Sequence, residues 1–165
     1  MKCLRIGLTG SIGMGKSVIS NQLKFLGFPL FCADETVHKL YSLNGKAVNP
    51  ISEIFPETLV NNSIDRQILS KIVLDSPDLL KKIEQIVHPL VMIERDLFYK
   101  NACINNYFLI IYDIPLLYEN IKNYSDLDYI IVATANEDIQ KQRVLSRKNM
   151  TIEKKKLNLK NLILL

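Results

Sequence analysis

Apolar residues in this chain follow two alternating rhythms, short unbroken runs and stripes spaced three or four apart, and the alternation predicts strands joined by helices. Leu4-Arg5-Ile6-Gly7-Leu8 is a short strand-like run, after which Ile19, Leu23 and Leu26 recur at helical spacing over 17–26, closed by Gly27 at a C-cap position. Phe28-Pro29-Leu30-Phe31-Cys32-Ala33 reads as a second buried strand that leaves Asp34 at its carboxyl end. Val37, Leu40 and Tyr41 begin another helix, which Asn44-Gly45 ends. Residues 44–62 hold two prolines and several asparagines, which predicts an irregular excursion. Ile64, Ile68, Leu69, Ile72 and Val73 share one helical face. Ser76-Pro77-Asp78 carries the N-cap and N1-proline signature of a longer helix, which Pro89 is expected to bend or split near His88. The continuous apolar runs at 107–112 and 129–134 have the length and β-branched, aromatic character of strands covered on both faces of a parallel sheet. A charged helix is expected over 137–148.

The pattern gives an α/β fold of three layers, a parallel sheet of at least four strands with helices on both faces, interrupted by a helical insertion at about 60–100. At 165 residues with 48% hydrophobic content, a single domain spanning 1–165 is expected. Cys3, Cys32 and Cys103 are widely spaced with no C-x-x-C pair, against a zinc site and against a disulfide framework, so the cytoplasm is the expected compartment. No apolar leader is evident, and Asp113 breaks the densest apolar stretch, so no membrane span is expected. A net charge of +4 suits a phosphate-rich small substrate as well as weak nucleic-acid attraction, so charge alone decides nothing, and no nucleic-acid partner is expected.

The chemistry concentrates after the first strand. Gly10-Ser11-Ile12-Gly13-Met14-Gly15-Lys16-Ser17 fits G-x-x-x-x-G-K-[ST] between a strand and an amphipathic helix, the setting of a phosphate-binding loop. Its glycines allow successive N–H groups to point at a polyphosphate, and the helix that follows adds its positive dipole end. Lys16 reaches the β and γ phosphates, and the Ser17 hydroxyl suits Mg²⁺. Ser11, Gly13, Met14, Gly15, Lys16, Ser17 and Val18 are the expected nucleotide contacts, with ATP and Mg²⁺ as the implied ligands.

Other candidates keep two readings each. Asp113, at the end of a strand near the loop, is either a Walker B carboxylate ordering Mg²⁺ or the cap of a turn. Asp34 is either the base that orients an attacking hydroxyl or the N-cap of the helix after it. Arg143 and Arg147, four apart on one helical face, either clamp a transferring phosphoryl group or lie on a solvated surface. His38 reads as a surface residue, His88 as packing or substrate-facing, and Lys154-Lys155-Lys156 as a solvated face. All six glycines fall at or before Gly45, so no later D-x-x-G switch motif exists, and no N-K-x-D motif is present, which disfavours a regulatory GTPase.

With these residues in view, the chain resembles the dephospho-coenzyme A kinases, a branch of the P-loop kinases. The pieces are Ile6 to Ser17, Ala33-Asp34, Ile64-Asp65-Arg66 with Leu69 and Ile72-Val73, Val87-His88-Pro89-Leu90, Asp113-Ile114-Pro115-Leu116-Leu117-Tyr118-Glu119, and Gln142-Arg143 with Arg147. The resemblance implies transfer of the ATP γ-phosphoryl group to the ribose 3′-hydroxyl of dephospho-coenzyme A, the last step of coenzyme A synthesis. It implies Asp34 as base, an acceptor site of Asp34, Asp65, Arg66, His88, Pro115 and Leu116 served by the helical insertion, and a lid bearing Arg143 and Arg147. Two departures stand out. Cys32 replaces the first carboxylate of the family's Asp-Ala-Asp, and the family pattern dissolves after Glu153. The latter leads to the expectation of a C-terminally shortened chain, produced by a frame slip at the lysine codons, with one strand missing from the sheet and reduced activity. A nucleoside or nucleotide kinase, or a fragment that binds nucleotide without turnover, are the alternatives.

Overall fold

The computed structural model describes residues 2–74, 76–115 and 117–146. In chain order these form β1 (Leu4–Thr9), α1 (Lys16–Phe25), β2 (Leu30–Cys32), α2 (Ala33–Tyr41), α3 (Val48–Ile54), a 3₁₀ turn (Pro56–Thr58), β3 (Leu59–Val60), β4 (Ser63–Ile64), α4 (Arg66–Val73) and α5 (Pro77–Ile104). There follow β5 (Leu109–Asp113), a 3₁₀ segment (Leu117–Tyr124), β6 (Tyr129–Val132) and α6 (Glu137–Leu145). The chain divides into two compact units, one built from residues up to Cys32 together with those from Asn101 onward, the other from Ala33–Lys100. The second unit takes in the segment 60–100 and begins earlier.

In the first unit four parallel strands lie in the order β2-β5-β1-β6. The register sets both Leu8 of β1 and Cys32 of β2 opposite Asp113 of β5, which brings three strand ends level. Burial explains why the inner strands are mostly apolar. Leu8, Ile110, Ile111 and Tyr112 are almost wholly enclosed, each such side chain contributing about 1.5–3 kcal/mol. Phe31 and Tyr112 meet edge to face at 5.9 Å.

Two strand expectations need correction. β5 starts at Leu109, because Asn106 takes a left-handed φ of 58° and the Tyr107 amide bonds back to the Ala102 carbonyl, closing the helix end before the strand begins. β6 is not covered on both faces: Tyr129 is 63% exposed, Ile131 39% and Val132 44%. Among the described residues it pairs with β1 alone, at the edge of the four-stranded sheet, and a β-branched run encodes a strand without encoding its place in the sheet.

The second unit holds the largest departure. Residues 44–62 are ordered into α3, the 3₁₀ turn and a β3–β4 hairpin. Pro50 sits in the first turn of α3, where its missing N–H has no intrahelical partner to lose. Asn61 and Asn62 both adopt left-handed φ, 50° and 56°, the conformation that a two-residue hairpin turn requires. Pro89 does not split α5, which runs as one helix from Pro77 to Ile104. Its cost, about 3 kcal/mol for the lost Gln85 carbonyl bond and the ring clash, is offset by the buried stripe Ile83, Val87 and Val91.

Candidate functional site

The glycines place the loop. Gly13 and Gly15 take φ of 80° and 94°, conformations costly for any residue with a Cβ, and a Cβ on Gly13 would lie 2.8 Å from the Val144 side chain. Gly15 caps α1, and the Lys16 and Ser17 amides, which precede the first helical bonds from Val18 and Ile19 to the Gly15 carbonyl, form the positive end of that helix. Lys16 then projects to the end of β5, where its Nζ pairs with Asp113 Oδ1. The other carboxylate oxygen accepts a 2.5 Å bond from the Ser20 hydroxyl. Asp113 is 5% exposed, so this buried charge is held from two sides by residues one helical turn apart on α1. In the structure both carboxylate oxygens of Asp113 are thus bonded to side chains of α1, the helix that follows the loop.

The 137–145 helix forms the other wall. Asn136 caps α6 by accepting from the Ile139 amide, and α6 sends three side chains to the loop. Gln140 Nε2 donates to the Ile12 carbonyl at 2.8 Å, Arg143 Nη1 donates to the Gly13 carbonyl at 3.4 Å, and Val144 packs on Gly13. The same guanidinium lies against Gly15. Arg143 is exposed and at the same time a neighbour of the loop. Arg147 and Leu116 lie outside the described residues, as does the lysine run 154–156. Thr9, buried at the end of β1, accepts from the Leu117 amide at 3.3 Å and fixes the segment that carries Pro115, itself half-buried. Ser11, Ser17 and Val18 are exposed, and Met14 is half-buried, its sulfur taking the Ala135 amide at 3.1 Å.

Within the second unit, α2 begins at Ala33, so half-buried Asp34 belongs to its first turn rather than to the N-cap position. Arg66, the first residue of α4, meets both ring nitrogens of His38 on α2, Nδ1 at 3.1 Å. It also lies near Tyr41, one turn further along, whose phenol burial pushes up to about 12. Asp65 is the N-cap of α4, its Oδ1 accepting from the amides of Gln67 and Ile68 at 2.8 and 3.0 Å. His88 is exposed on α5. Ser20 and Gln140 escaped the sequence reading, whereas His38, read as a surface residue, is exposed and meets Arg66 there. Ser20 had a local signal, since it falls four residues after Lys16 on the same helical face, whereas Gln140 is brought in by tertiary packing alone.

The family model described as dephospho-CoA kinase matches residues 4–162. A dephospho-CoA kinase of Brucella melitensis is 42% identical over 151 residues, covering 92% of this chain and 74% of the relative. One from Rhodopseudomonas palustris is 40% identical with the same coverage. Among solved structures, the Thermus thermophilus protein TT1252 superposes with a TM-score of 0.80 at 27% identity over 97% of this chain and 80% of its own. A dephospho-CoA kinase from Campylobacter jejuni shares the fold, with a TM-score of 0.58 at 20% identity over 86% of this chain and 94% of its own.

Proposed function

The chain belongs to the dephospho-CoA kinase family, whose members use ATP to phosphorylate dephospho-coenzyme A, the final step of coenzyme A synthesis, and we propose how this chain's residues carry that reaction out. The observation that carries the reading is the Lys16–Asp113–Ser20 cluster beneath a glycine-capped helix start. The loop from Ser11 to Val18 receives the triphosphate. Lys16 and Arg143 offset the charge that spreads over the γ-phosphoryl oxygens as it transfers, with Arg147 as a second guanidinium. Asp34 accepts a hydrogen bond from the ribose 3′-hydroxyl and takes its proton, while Asp65, Arg66, His88, Pro115 and Leu116 hold the acceptor.

A magnesium ion fits this donor set. Among the described residues no group of three His, Cys, Asp or Glu side chains is placed to hold a metal. Magnesium bound to a nucleotide needs only one or two hard oxygen ligands from protein, and the Ser17 hydroxyl and the Asp113 carboxylate are of that kind. When bound, it would neutralise charge on the β and γ phosphates. No helix among the described residues is long and apolar enough to cross a membrane, and a cytoplasmic enzyme acting on small molecules is the proposed setting.

The experiment is incubation of the purified chain with Mg-ATP and a panel of acceptors. Formation of coenzyme A with dephospho-coenzyme A alone supports the reading. Phosphorylation of a nucleoside or nucleotide in its place overturns it, and Asp34→Asn with undiminished kcat removes Asp34 from the role of base.

A further inference from the structure

At the opposite end of the sheet from the loop, two of the three cysteines come together despite their separation in sequence. Cys3 precedes β1 and is buried, whereas Cys103 lies in the last turn of α5 and is exposed. The path between them is set by backbone geometry. Asn106 turns left-handed, its amide and that of Tyr107 bond back to Cys103 and Ala102, and the chain re-enters the sheet with the Phe108 carbonyl accepting from the Leu4 amide at 2.9 Å. That turn lays the end of α5 over the start of β1, which makes Cys103 a close enough neighbour of Cys3 to push its thiol up. Six residues of β1 separate this pair from the loop, about 15–20 Å of strand.

We propose that Cys3 and Cys103 are a reversible redox site that closes to a disulfide by exchange with a small-molecule disulfide. Exposure orders the steps. The Cys103 thiol, having lost its proton, attacks one sulfur of the small disulfide, forming a mixed disulfide and releasing one small thiolate. Cys3 then loses its proton and attacks Cys103 Sγ, releasing the second. The released thiolates take up the two protons, so two protein thiols are oxidised and one small disulfide is reduced to two thiols. Burial first, and then the neighbouring Cys103, push the Cys3 thiol up, which suits it to the second, proximity-driven attack rather than the first. The bond has a structural consequence, because the first unit is built from two separated chain segments and Cys3 and Cys103 lie one on each. Closure would staple them across the whole intervening 33–100 segment.

The test treats the reduced full chain with oxidised glutathione. The expected product has lost two hydrogens, carries no glutathione, yields a peptide linking Cys3 to Cys103 on non-reducing digestion, melts at a higher temperature, and reverts with dithiothreitol. Cys3→Ser should trap glutathione on Cys103, and Cys103→Ser should leave Cys3 unmodified. A stable glutathione adduct on Cys103 in the unsubstituted chain, a bond involving Cys32, or no reaction at either thiol would overturn the proposal. The readout is covalent, so it is independent of the kinase reading.

Discussion

Lys16 combines a buried ion pair with the proposed contact to the triphosphate, so its loss should register in both stability and turnover. Truncating Lys16 leaves the Asp113 carboxylate buried without its cation, and breaking such a pair costs several kcal/mol where removing both partners costs far less. Lys16→Ala is therefore expected to lower kcat by roughly 10²-fold or more and also to reduce stability, whereas Lys16→Ala with Asp113→Asn should regain stability without regaining turnover. Urea titrations beside steady-state rates separate the two effects; equal stability of the single and double variants would show that the pair is not energetically coupled. Ser20→Ala removes a hydrogen bond to a charged group, worth about 1.5–3 kcal/mol, and should lower kcat more than it changes the KM for the acceptor. An unchanged rate with lowered stability would leave Ser20 a purely structural bond. These residues also mark how far the site was legible. The loop is written in consecutive letters, because its backbone must turn and bond within eight residues, and Asp113 was visible as the polar end of an apolar run. Gln140 and the perch of Arg143 on Gly13 depend on how α6 packs, which no local pattern contains.

The elements differ in how openly they were written. β1, α1, α2, α4 and the start of α5 follow apolar periodicity with ordinary capping signals, so a short window decides each of them. The 44–62 segment was misread because its prolines and asparagines were weighed by type rather than position: Pro50 is harmless in a first turn, and Asn61-Asn62 is a hairpin turn. The Asp65 cap gives a test at this scale. Asp65→Ala should cost about 1 kcal/mol of stability, while Asp65→Asn keeps the capping oxygen and should leave the melting temperature nearly unchanged. A raised acceptor KM in the asparagine variant would then isolate the carboxylate's charge from its capping; an unaltered KM would remove Asp65 from the acceptor site. The strand edge offers a second test. Asp128 joins the start of β1 to the entry of β6, accepting from Lys2 Nζ at 2.5 Å and from the Arg5 amide at 2.9 Å, and those bonds, the lysine's first, hold its carboxyl below the usual 3.8. A depressed folded value means that this contribution is complete above the unfolded value and is lost as pH falls through the folded one. Stability measured from pH 6 downward should therefore fall less steeply below about 3.8 in Asp128→Asn than in the parent chain.

At the scale of the whole molecule, the chain is a discontinuous unit bearing the phosphate loop with a second unit, Ala33–Lys100, spliced into it. The sequence showed a helical middle third but not where the splice begins, because β2 passes into α2 with no linker, glycine or change of composition between Cys32 and Ala33. A division of labour between units has a thermodynamic signature, since a ligand stabilises whatever must be folded to bind it, by about 2.7 kcal/mol at a hundredfold excess over Kd. Hydrogen exchange should read this unit by unit. Mg-ATP is expected to slow exchange in peptides covering β1, α1, β5 and α6, with Lys16→Ala abolishing the effect. Dephospho-coenzyme A added alone should slow exchange chiefly in peptides from α2, α4 and α5. The two outcomes bear on different parts of the reading. ATP protection confined to 33–100 would remove the loop from nucleotide binding, whereas loop protection with no acceptor-dependent change in 33–100 would leave the nucleotide site standing and assign the acceptor to residues other than Asp34, Asp65, Arg66 and His88.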